Sequence, residues 1–142
     1  MALAHSPSIV MNGLVLCLDA GNIKSYSGSG TTWTDLSGNG NTGTLTNGPT
    51  YSSANGGSIV FDGVDDYSEN SSPNLGITGN ASITMSCWFY DTRSSTSTFQ
   101  ALFCYGNGPT AGDTFAIGLL NLGINMQFNG GNATSSNNNS YS

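Results

Sequence analysis

Few residues in this chain are able to act as acids, bases, nucleophiles or ligands. Glu69 is the only glutamate and His5 the only histidine, and the chain carries 8 acidic residues against 2 lysines and arginines. Glycan hydrolysis needs a pair of carboxylates flanking the scissile bond, one as acid and one as base or nucleophile. Glu69 lies in polar sequence, and Asp65 and Asp66 are adjacent, so in a strand they would face opposite sides. No Glu-x-Asp-x-Glu spacing occurs, and the sequence predicts no enzyme. A Cys/His nucleophile pair is not expected for Cys17, Cys87 or Cys104 either, because the only histidine, His5, lies in a stretch that reads as a mobile tail. An odd cysteine count, with each thiol inside an apolar run, predicts buried thiols rather than a disulfide framework.

Binding chemistry has more to work with. Calcium takes about six to eight oxygens from carboxylates and carbonyls. Asp35, Ser37, Asn39 and Asn41 offer oxygens at alternate positions, and Asp62, with Asp65 and Asp66, is a second source. The same residue types also bond their own backbone and build turns, so a calcium site and a shaped loop are both open readings. No cofactor is required. Trp33, Tyr26 and Tyr67, with Tyr51, are candidates for an aromatic glycan platform, against core or edge packing. Ile9-Val10-Met11 follows a Pro-containing lead. It is a candidate assembly contact, against the first strand of its own sheet.

The elements that must position these residues are strands. Gly, Ser, Thr and Asn make up about half the chain, and charged residues only 7%. No segment keeps helical apolar spacing, whereas period-two alternation recurs. Ile83, Met85, Cys87 and Phe89 alternate with Thr84, Ser86, Trp88 and Tyr90. Further strands are expected at Ile9 to Asp19, Ser58 to Asp62, Phe99 to Tyr105, Thr114 to Leu120 and Leu122 to Phe128. Phe99, Ala101, Phe103 and Tyr105 are expected on one face. Asn-Gly steps at Asn39, Asn47, Asn55, Asn107 and Asn129 punctuate them, since both residue types tolerate the positive φ of tight turns. This pattern predicts an all-β, antiparallel β-sandwich. Residues 1–8 read as an N-terminal arm, 9–132 as the β-sandwich domain and 133–142 as a Ser/Asn-rich tail.

Four ordered blocks carry a family resemblance: Leu14 to Asp19, Trp33 to Leu45, Gly57 to Tyr67 and Ser82 to Phe89. They resemble the concanavalin A-like, laminin-G-like jelly-roll domain, in the version carried by tailed-bacteriophage virion proteins. The resemblance implies a jelly roll, a virion location with assembly in the host cytoplasm, and a structural role. It also makes calcium and cell-surface glycan the ligands to consider. The family's later strands usually include a Trp-His strand, which this chain lacks. Either the domain is pared down, or this is the N-terminal part of a longer product whose sheet edges need cover from a neighbour.

Two cations among 142 residues, with a net charge of -6, cannot make a phosphate-binding patch, so nucleic acid is not an expected partner. No apolar run reaches the ~18 residues of a membrane span, and the first residues do not read as a secretory signal. The expected partners are other virion proteins and further copies of this chain. Capsid decoration is preferred over a fibre or tail part, because no coiled-coil or repeat stalk is visible. The alternative is a carbohydrate-binding module of an extracellular protein. The thiols are expected to stay reduced: freshly purified protein should take up one alkyl group per cysteine once unfolded, and an intact mass short of that would reveal a disulfide.

Overall fold

The computed structural model describes residues 9–70, 75, 77, 82–92, 99–106, 114–120 and 123–129. The expected arm at 1–8 and tail at 133–142 lie outside the described residues. The chain divides into two compact units, Met1–Ile77 and Thr78–Ser142. Both are built from antiparallel strands, and the described helical structure is little more than one short 3-10 turn at Ala54–Gly56. The chain is all-β, as its alternation predicts.

In the first unit, β1 (Thr32–Trp33), β2 (Gly43–Thr46) and β5 (Tyr67–Glu69) form one sheet with β2 in the middle. Thr44 pairs with Thr32 on one side and Glu69 on the other. Successive side chains alternate, so Gly43 and Leu45 are buried while Thr44 is exposed. Gly43 is small for a reason. A Cβ there would stand 2.9 Å from Ser68 Oγ and 3.5 Å from Leu18 Cδ1, so Leu18 packs directly on this inner face. A second ribbon pairs β3 (Thr50–Ser52) with β4 (Ser58–Val60), Tyr51 opposite Ile59. Its turn places Asn55 at φ 53°, and Asn47 before β3 adopts φ 68°, as the Asn-Gly steps predict.

The second unit holds β6 (Gln100–Tyr105), β7 (Thr114–Leu120) and β8 (Gly123–Asn129) in one sheet, with β7 in the middle. Ala116 and Leu119 are buried. The expected single face of Phe99, Ala101, Phe103 and Tyr105 is not kept. Ala101 pairs with Gly118 and Phe103 with Ile117, so Leu102 is an extra residue in β6. Such a bulge reverses the facing of everything beyond it. Phe103 therefore joins the side of Ile117, and Ala101 stays on the side of Gly118.

Two expected strands do not join a ladder. Ile9 to Asp19 contains a turn, with the Leu14 amide donating to the Met11 carbonyl at 3.1 Å and Gly13 at φ 79°. Residues 82–92 pair with no strand among the described residues, and Trp88 is fully exposed. Alternation gives a segment two faces but no hydrogen-bonding partner, and a ladder needs both. The cysteines also differ from the expected burial: Cys87 and Cys104 are exposed, and Cys17 is half-buried. All three are free thiols.

Gly118 supplies a test of the second unit. A Cβ there would meet the Gln100 carbonyl oxygen and the Phe99 ring, with ring atom Cζ at 2.5 Å. Backbone cannot yield as a flexible side chain can. Gly118→Ala should cost about 1–3 kcal/mol, the range of an overpacked site, read as a lower denaturant midpoint. An unchanged midpoint would show that β6 and β7 are farther apart than described.

Candidate functional site

The loop from Asp35 to Asn41 has too much Gly and Asn for a strand, and the structure shows what it does instead. Asp35 Oδ1 accepts hydrogen bonds from the Cys17 amide at 2.9 Å and the Ser37 amide at 2.8 Å. Oδ2 accepts from the Ser37 hydroxyl at 2.6 Å and the Asn41 amide at 3.0 Å. Two oxygens offer roughly four acceptor sites, so the carboxylate is saturated. The loop then reaches across to the apolar run before it. The Asn41 amide side chain donates to the Val15 carbonyl at 2.7 Å, and that of Asn39 to the Leu14 carbonyl at 2.8 Å. The Leu36 amide donates to the Cys17 carbonyl at 2.8 Å. Residues 14–17 thus find in this loop the partner that a neighbouring strand would otherwise supply.

Ser25 extends the same construction, and nothing in its sequence context marks it. It is buried, accepts from the Asp19 amide at 3.0 Å and donates to the Thr34 carbonyl at 2.6 Å. The Thr34 amide returns a bond to the Ser25 carbonyl at 2.7 Å. The buried residues of this unit are accordingly as polar as apolar: Ser25, Asp35 and Asn41 beside Tyr26 and Leu45.

Of the calcium candidates, Asp35, Asn39 and Asn41 come together, and all three bind protein groups. A cation at Asp35 would have to displace its four donors. Asp62 stands in a separate turn, its Oδ1 accepting from the Val64 amide at 2.8 Å and the Asp65 amide at 3.3 Å. The Asp62 amide donates to Asp66 Oδ2 at 3.0 Å. Carboxylate oxygens of Asp62, Asp65 and Asp66 lie within 4.8 Å of one another in an arrangement open to water, which acidic turns adopt commonly without a metal. The backbone N–H donors, Val64 first, hold the Asp62 carboxyl below its ordinary pKa.

The glycan candidates separate. Tyr26 is buried against Tyr51, ring centroids 5.5 Å apart, and its hydroxyl donates to the Gly30 carbonyl at 2.9 Å. Trp33 pairs with Gly43 and Tyr67 with Thr46, positions of opposite parity on β2, so the two aromatics occupy opposite faces of the sheet. Trp33 is half-buried, with its indole N–H buried and without a hydrogen-bond partner among the described residues. Tyr67 is exposed. The three form no common platform. Of the assembly candidates, Ile9, Val10 and Met11 are all exposed.

Burial acts to raise the Asp35 pKa, but the Ser37 hydroxyl and the Ser37, Cys17 and Asn41 amides outweigh it and hold the carboxyl below its ordinary value. Burial, with Asp19 and Asp35 nearby, pushes the Cys17 thiol up. Because the folded pKa of Asp35 lies below the unfolded one, its contribution is complete above the unfolded value. It is lost as pH falls through the folded value. Asp35→Ala strands buried amides and should cost about 3 kcal/mol at neutral pH, with a smaller penalty in strong acid. Denaturant titrations at both pH values would check this, and an equal cost at both would contradict the charged hub. Comparison with known proteins matches this chain to no family model, no curated protein and no solved structure.

Proposed function

We propose that this chain is a structural subunit of a tailed-phage particle. It is a lectin-like jelly roll displayed on the virion as a capsid decoration, or in a fibre or tail, and assembled in the host cytoplasm. It acts by contact with other virion proteins and with copies of itself, with weak binding of host glycans as a secondary activity. The observation that carries this reading is the exposed apolar surface. Ile9, Val10 and Met11 are 57%, 77% and 54% exposed, and Trp88 and Tyr90 stand open in a segment that pairs with no strand among the described residues. Large apolar side chains left open to water in each unit are the material of contact sites. Such a segment also offers its backbone to another strand, and the usual guard against that is charge. This chain has one lysine and one arginine, Lys24 and Arg93.

The reading agrees with the resemblance of the four sequence blocks to phage jelly-roll domains and with the absence of any paired-carboxylate spacing. Calcium is a candidate ligand of the Asp62, Asp65 and Asp66 turn within it. The carbohydrate-binding alternative has less to stand on, because Tyr26 is buried and Trp33 and Tyr67 lie on opposite faces.

Mass in solution tests the proposal. The wild-type chain should form a discrete oligomer, and Ile9→Ser with Val10→Ser and Met11→Ser should lower the association constant at least about tenfold, given ~1.5–3 kcal/mol for each large apolar side chain buried. A monomer at high concentration, with an unaltered triple variant, would overturn the assembly role. Tight binding to a glycan array, lost in Tyr67→Ala, would favour the alternative.

A further inference from the structure

Four Asn-Gly steps lie within the described residues of the first unit: Asn12-Gly13, Asn39-Gly40, Asn47-Gly48 and Asn55-Gly56. They form a natural comparison. Every one of the four asparagines is exposed, and every following glycine has positive φ, at 79°, 76°, 110° and 94° in that order. They differ in what holds the side-chain amide. Asn39 Nδ2 donates to the Leu14 carbonyl at 2.8 Å and to Ser37 Oγ at 3.0 Å. Asn47 Nδ2 donates to the Asp65 carbonyl at 2.7 Å. The side chains of Asn12 and Asn55 make no hydrogen bond among the described residues, and both stand in turns, Asn55 at φ 53°.

We infer that Asn12 and Asn55 are sites of spontaneous deamidation, and that the fold protects Asn39 and Asn47. The chemistry needs only water. The backbone nitrogen of the following glycine attacks the asparagine Cγ, forming a C–N bond. The bond from Cγ to the side-chain nitrogen breaks, and ammonia leaves with the proton that the glycine nitrogen gives up. Water then opens the cyclic imide at either carbonyl, leaving aspartate or isoaspartate. Glycine favours the first step because no side chain obstructs its nitrogen. A tethered amide must first release its acceptors so that Cγ can swing onto the main chain. That slows the reaction by about fivefold for each hydrogen bond broken.

Each event exchanges an amide for a carboxylate and adds one negative charge to a chain whose net charge is already -6. At Asn55 the isoaspartyl product also adds a methylene to the backbone beside Gly57. That glycine packs so closely on Gly21 that a Cβ on it would stand 2.7 Å from Gly21 Cα. Modification at this step therefore alters a close backbone approach, whereas a Cβ on Gly13 would meet nothing within 4 Å among the described residues.

The test is a timed incubation of the full chain in mildly alkaline buffer, followed by peptide mapping that separates asparagine, aspartate and isoaspartate. A parallel incubation in denaturant gives the intrinsic rates. In the folded protein, Asn12 and Asn55 should convert at least about fivefold faster than Asn39 and Asn47, with the four rates converging in denaturant. Folded rates at Asn39 or Asn47 equal to that at Asn55, or a ranking unchanged by unfolding, would overturn the inference.

Discussion

The first unit depends on one carboxylate. Asp35 gathers donors from positions 17, 37 and 41 and so fixes three stretches of chain against one another. Burying a charge is costly unless hydrogen bonds replace its water. The charge is spread over three backbone N–H groups and one hydroxyl, and such charge-assisted bonds are stronger than neutral ones. Once residues 14–18 are held to the loop, Leu18 is placed over Gly43, and the inner face of the central sheet is covered.

This construction suits the composition. With 7% charged residues, the chain has little capacity for ion pairs, and its apolar core among the described residues is small. Order comes from short polar side chains reaching backbone groups: Ser25 to Asp19 and Thr34, Asn41 to Val15, Asn70 to Thr42. Each bond adds little stability net, but each buried partner left unpaired costs more. The loop is thereby specified by polar satisfaction more than by apolar packing. The same economy leaves apolar residues such as Ile9, Val10, Val64 and Trp88 at the surface.

The second unit follows the more usual rule, with ladders and register in control. β7 is paired on both sides, with Phe115 opposite Tyr105 and Phe128. One extra residue at Leu102 decides which of the β6 side chains share a face with Ile117. A bulge costs a ladder position locally and gains a change of direction.

Sequence alone determined the class of structure and much of its punctuation. Alternation identified β6, β7 and β8, because a half-buried strand imposes period two on its own residues, and β4 was marked by the short apolar run Ile59-Val60-Phe61 ended by Asp62-Gly63. Asn47 and Asn55 marked their turns because few residue types accept positive φ. Asp35 and Ser37 were legible as loop-fixing residues, since their short side chains reach the nearby backbone. The tertiary structure decided everything that needs a partner. It used residues 14–17 as the lining of a polar loop, left 82–92 without a ladder among the described residues and put Tyr26 in the core. It also sent Trp33 and Tyr67 to opposite faces of one sheet. Period and composition are local properties of a chain. Which acceptor a donor meets, and which face a register presents, depends on segments brought together from far along the sequence.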